Sequence, residues 1–164
     1  YCFRRQPHCI VSKNRVITAV REARQRGVLF DVGHGTASFA FAVAEAAIAG
    51  GFLPNTISTD LQRRHLGASP THDLPLVMAQ LMAAGMPQVE VFRAVTQTPA
   101  EVLGIVEQVG TLRLGGCADL TVLCADQQPA VLEDFNAQQR TARRWRSVLT
   151  VRGGKVVRSS EEQQ

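Results

Sequence analysis

Apolar and polar positions along the chain change their period several times, and each change predicts an element. Over 14–26 the apolar residues Val16, Ile17, Val20 and Ala23 recur at helical spacing. Arg21, Glu22, Arg24 and Arg26 fill the other face, so a helix is predicted up to Gly27. The run 28–32 is short and mostly apolar, a strand, and it leads directly into Gly33-His34-Gly35. Segment 38–49 is rich in Ala and Phe and predicts a buried helix ended by Gly50-Gly51. Pro54-Asn55 make a turn, and a second short strand over 56–59 ends at Asp60. A polar loop over 61–72 follows. Asp73 is placed to cap a helix with Pro75 in its first turn and Gly85 at its end. Pro87 opens a further helix, and Thr98-Pro99 a short one stopped by Gly104.

Beyond this point the style changes. Gly110, Gly115 and Gly116 punctuate a stretch leading into a strand over 120–123. Segment 126–146 is polar and Arg-rich and predicts no element. Two β-rich runs over 148–157 flank Gly153-Gly154, a hairpin signal because both turn residues tolerate positive φ. Helix, strand, helix, strand and more helices predict βα units of a parallel sheet. The strands after them predict a small antiparallel sheet.

Composition narrows the function classes. The 164 residues are 45% hydrophobic and 20% charged, ordinary for a soluble globular chain. A net charge of +4 is mild, and aromatics at 5% argue against a base-stacking platform. The arginine cluster over 140–146 reads as a solvated surface, with an anion or nucleic-acid contact as the sharper alternative. Cys2, Cys9, Cys117 and Cys124 form two C-x6-C pairs, which match no common zinc spacing. They are read as reduced thiols in a cytoplasmic protein, buried as small hydrophobes. No stretch is long and apolar enough to span a bilayer.

Two strand ends carry the candidate chemistry, Asp31-Val32-Gly33-His34-Gly35 and Ile57-Ser58-Thr59-Asp60. In parallel βα architectures the carboxyl ends of strands form the active face. A His between two glycines is sterically open to a ligand. An Asp ending an apolar strand suits a metal ligand or a general base. The bland alternatives are a turn histidine with a satisfied ring and a capping aspartate. His8, His65 and His72 lie in apparent loops and read as solvent-exposed. Dinucleotide-binding, P-loop and nucleophile-elbow patterns are absent.

Three segments together resemble the amidohydrolase superfamily, and most closely its deacetylase and dihydroorotase-like branch. They are 26–35 followed by Ser38-Phe39, then 52–61 with Asp73-Leu74-Pro75 after it, and then 98–105 with Val109-Gly110-Thr111-Leu112 and 118–123. The resemblance implies an α/β fold: the C-terminal portion of a (β/α)8 metallo-hydrolase barrel over 1–108, followed over 109–164 by strands of a small β-sandwich. The strands ending at Gly33-His34-Gly35 and at Asp60 then resemble barrel strands seven and eight. Asp60 is implied as ligand of a divalent metal, zinc by expectation, and as the catalytic group that takes a proton from the metal-bound water. His34, with Gly33 and Gly35, is implied to face a small-molecule amide substrate.

The resemblance also implies groups that this chain lacks. The family's His-x-His pair, bridging lysine and strand-five histidine have no counterpart and would lie upstream of Tyr1. Tyr1 stands before Cys2-Phe3 where a strand-six histidine is expected, and Gln62 stands where a histidine is expected shortly after Asp60. A full barrel takes roughly 250 residues, and this chain has room for two or three of its strands. The expectation is therefore the C-terminal part of a metal-dependent C–N hydrolase, inactive alone. Its partner would be the remaining part of the barrel or another copy of the chain. The alternative is a non-catalytic remnant with an assembly or regulatory role.

Overall fold

A computed structural model describes residues 2–4, 10–67 and 71–159. Tyr1, His8 and Cys9 lie outside them. The chain opens with a small hairpin, β1 (Val11–Ser12) and β2 (Arg15–Val16). Its turn residues Lys13 and Asn14 both have positive φ, the backbone of a tight two-residue hairpin turn. The first helix, α1 (Thr18–Gln25), therefore starts four residues later than the apolar spacing predicts. Val16, assigned above to its stripe, is buried in the hairpin instead.

The centre of the fold is a parallel pair, β3 (Asp31–Gly33) and β4 (Thr56–Ser58), with Asp31 opposite Thr56, Val32 opposite Ile57 and Gly33 opposite Ser58. Helix α2 (Phe41–Ala49) connects the two strands, as the βα pattern predicts. Val32 and Ile57 share one face of the pair and are buried in the core with Phe39, Phe41, Phe52, Leu81 and Val91. The starts of the strands are tied by Asn55, whose Oδ1 accepts from Phe30 N at 2.9 Å. Arg24 of α1 lies over the Phe52 ring, 3.8 Å from its centroid, and donates to Leu53 O. Val28 and Leu29, predicted to begin the first strand, are exposed and precede it.

Next come α3 (Leu74–Ala83), α4 (Gln88–Val95) and α5 (Gln97–Val102). Asp73 caps α3 as predicted, accepting from Leu76 N at 2.9 Å. The C-terminal region forms β5 (Leu120–Ala125), β6 (Ala130–Glu133), β7 (Gln139–Ala142), β8 (Trp145–Arg152) and β9 (Lys155–Ser159). Strands β5, β8 and β9 make a three-stranded antiparallel sheet with β8 in the middle. Gly153 and Gly154, at φ 53° and 78°, turn β8 into β9.

The segment read as featureless contains the hairpin β6–β7, and this hairpin ties the C-terminal strands to the α/β part. Leu132 is buried in the same core as Val32 and Phe41. Asp134, at the hairpin tip, accepts from Phe41 N at 2.8 Å through Oδ2 and so caps α2 from a distance. Its Oδ1 accepts from Asn136 N and Gln138 N at 2.8 and 2.9 Å. Arg140 forks onto Glu45 of α2 with contacts of 2.6 and 3.0 Å. Arg144 lies 3.7 Å from Asp73, and Arg146 lies 3.6 Å from Asp126. Three arginines of the cluster over 140–146 are thus paired to carboxylates, which leaves little of it for an anion. Among the described residues no helix is long and apolar enough to cross a membrane.

Candidate functional site

Alternation along β3 and β4 sorts their side chains. Val32 and Ile57 go to the core, so Asp31, Gly33, Thr56 and Ser58 occupy the other face. That face borders an open cavity of about 450 Å³ lined by Cys2, Leu29, Phe30, Asp31, Gly33, Ser58 and Asp60. The Asp31 carboxylate accepts from Thr56 Oγ1 at 2.7 Å and Ser58 Oγ at 2.6 Å, which crosslinks the strands on the cavity side.

Past the carboxyl ends the two chains stay paired. His34 N donates to Ser58 O at 3.3 Å and Gly35 N donates to Thr59 O at 2.9 Å. Asp60 has φ 49° and Gly35 φ 51°, both left-handed. A Cβ on Gly35 would stand 2.5 Å from Asp60 Oδ2. The glycine is therefore required twice, for its φ and for the room it leaves the carboxylate. Of the predicted site residues, Asp60 and Gly33 line the cavity, and Gly35 packs directly against Asp60.

His34 departs from expectation. Only 3% of it is exposed, and it does not line the cavity. Its ring stacks on Phe39 at 4.9 Å between centroids, with the His72 ring at 5.2 Å. Neither ring nitrogen has a hydrogen-bond partner among the described residues, and neither has Gln80 Oε1. Burial lowers the His34 pKa to about 4, and His72 pushes the same way; Gln80 and Asp134 pull it up without winning. The imidazole is neutral at ordinary pH.

His65 and His72, read from the sequence as exposed loop residues, are buried too. Their rings meet edge-on at 4.9 Å. His65 Nδ1 accepts from Gln62 N at 3.1 Å across a short 3-10 turn, Arg63–His65. Burial lowers its pKa from the usual imidazole range, and His72 and Arg64 push the same way against Asp60. His72 Nε2 lies 2.8 Å from Thr59 O. A carbonyl can only accept, so Nε2 carries the proton. Nothing in the local pattern of 61–72 signals this burial, which comes with the meeting of the His34, His65 and His72 rings. The cysteines split: Cys2 is buried as expected, whereas Cys117 and Cys124 are exposed.

Among the described residues no group of three or more His, Cys, Asp or Glu is placed to hold a metal ion. A catalytic zinc takes about three protein ligands. Asp60 alone does not make that site, and the rings of His34, His65 and His72 are engaged with one another, with Phe39, Thr36 and Arg64, and with backbone.

Comparison with known proteins matches this architecture. The model of the amidohydrolase family matches residues 8–157. A deacetylase of Enterococcus faecalis is 34% identical over 159 residues, 95% of this chain and 43% of its own length. A crystal structure of an adenine deaminase superposes with a TM-score of 0.85 at 35% identity, covering 94% of this chain and 43% of that one. A crystal structure of a dihydroorotase gives 0.72 at 36% identity, over 87% of this chain and 39% of that one. The chain thus spans about two-fifths of the length of these proteins.

Proposed function

The chain belongs to the amidohydrolase family, and on that footing we propose that it forms part of a C–N bond hydrolase of deacetylase or dihydroorotase-like type. In this reading β3 and β4 are two strands of a (β/α)8 barrel, and the cavity beside them is a share of its active-site mouth. The substrate is a small amide or cyclic amide. The observation that carries the reading is Asp60, a carboxylate held at the end of a parallel strand, lining the cavity, with the missing side chain of Gly35 leaving it room.

Hydrolysis adds water across the C–N bond. The water oxygen bonds to the carbonyl carbon, the nitrogen leaves, and a proton passes from the water to the leaving nitrogen. Asp60 is the group of this chain that accepts that proton and hands it on. Gly33 lets a substrate approach the backbone, Gly35 leaves room for the Asp60 carboxylate, and His34 supports that segment from behind through its buried ring. Members of this family generally draw on a divalent metal to activate water. The described residues do not make such a site, so a metal on Asp60 would take its other ligands from elsewhere. For that reason the isolated chain is proposed to be inactive.

A chimera tests this. Residues 1–164 replace the matched segment of the Enterococcus faecalis deacetylase, and hydrolysis of N-acetyl substrates is followed. Retained turnover that Asp60→Asn abolishes is the expected result. A folded chimera that is inactive, or one indifferent to Asp60→Asn, would sink the assignment. Turnover by the isolated chain with added zinc would overturn the proposed inactivity.

A further inference from the structure

The mechanism leaves His72 without a task, yet it is one of the best-placed side chains near Asp60. Thr59 O receives two N–H groups, from Gly35 N at 2.9 Å and from His72 Nε2 at 2.8 Å. One comes from the β3 end and the other from the loop before α3. The next residue is Asp60, whose positive φ is unfavourable for a residue with a side chain. A conformation of that kind persists when its surroundings over-determine it. Two donors on the preceding carbonyl fix the plane of the Thr59–Asp60 peptide, and with it the direction in which the carboxylate leaves the backbone. His72 is itself enclosed: it is 5% exposed and lies between the rings of His34 and His65.

We propose that His72 is a positioning residue for Asp60, acting through the Thr59 carbonyl to hold the carboxylate on the cavity. The functional meaning of this placement rests on the role given to Asp60 above. His72, directly before the cap of α3, then serves to bring an N–H donor behind the strand end. Catalytic carboxylates and metal ligands elsewhere depend on outer hydrogen bonds of this kind, whose loss costs ~10–100-fold in affinity or activity.

The test is made by nuclear magnetic resonance on the chain itself, with no metal or substrate. His72→Leu fills the volume without a donor; His72→Gln restores an N–H at similar reach. The carboxyl carbon of Asp60 is expected to shift in His72→Leu and to return in His72→Gln, while that of Asp31, on the same cavity, stays in place. An Asp60 signal unmoved in a folded His72→Leu, or moved alike by both variants, overturns the proposal. If His72→Leu does not fold, the imidazole nitrogens of the unmodified chain decide. A protonated Nε2 coupled to Thr59 C=O supports the proposal, and an unprotonated Nε2 overturns it. An inactive chimera with an Asp60 signal that depends on His72 would fail the functional reading alone.

Discussion

Gly35 faces Asp60 across a gap that a single methyl group would close. In Gly35→Ala the new Cβ needs a left-handed φ, which costs about 1 kcal/mol, and it must also displace the carboxylate from 2.5 Å. The variant is expected to melt lower and, in the chimera, to lose most turnover; equal turnover would show that the contact does not matter. His34 gives a second expectation at this scale. Its pKa falls from 6.5 to about 4 on folding, so between those values the unfolded chain binds a proton that the folded chain refuses. Stability is unaffected above that window and declines as pH drops through it, by about 3 kcal/mol in full. Urea midpoints at pH about 7 and about 5 should therefore lie closer together in His34→Leu than in the unmodified chain. The strand-end glycines and Asp60 were legible because they sit at fixed offsets from apolar runs. The direction of the His34 ring was not, since it depends on Phe39, His72 and Gln80 arriving from three other segments.

At the scale of elements, the β6–β7 hairpin decides how the C-terminal strands meet the rest. Asp134→Ala removes three accepted N–H bonds at a buried position, one of them the cap of α2. A loss on the order of 3 kcal/mol follows, about 10 °C in melting temperature for a chain of this size. Circular dichroism melting checks it, and a change within 2–3 °C, about 1 kcal/mol, would mean that water replaces the carboxylate. Helices α2 and α3 and the β8–β9 turn were readable from Ala-rich patterning, the Asp73 cap and the glycine pair. The hairpin was hidden because only Leu132 is fully buried, and the residues packed beside it, Ala130 and Ala142, are small and set among polar neighbours, so no period stands out. Arginines that look like a charged surface in sequence are here the ties of that hairpin to α2 and α3.

Across the whole molecule, the apolar surface is unevenly covered. Leu112 and Leu114 stand almost wholly free, and Leu120, Val122 and Val156 are exposed on the β5–β8–β9 sheet. Uncovered sheet surface of this kind favours self-association. Sedimentation velocity on the 164-residue chain is expected to show mass increasing with concentration; a monomer across the range would contradict it. Fold class and the parallel pair were foreseeable from element order. The extent of a barrel is not set by 164 residues, because strands close a barrel only through partners far along a chain.

The cap that Asp134 places on Phe41 also sets an order in time. The two residues are 93 positions apart. At a synthesis rate of about 5–20 residues per second, α2 leaves the ribosome roughly 5–20 s before its cap exists. During that interval the amide of Phe41 depends on water, and the pocket that Leu132 will fill stands open. The α/β part cannot complete itself as it emerges. It must wait for a hairpin made much later, so a product released before residue 134 would carry a frayed helix in the connection between the two parallel strands.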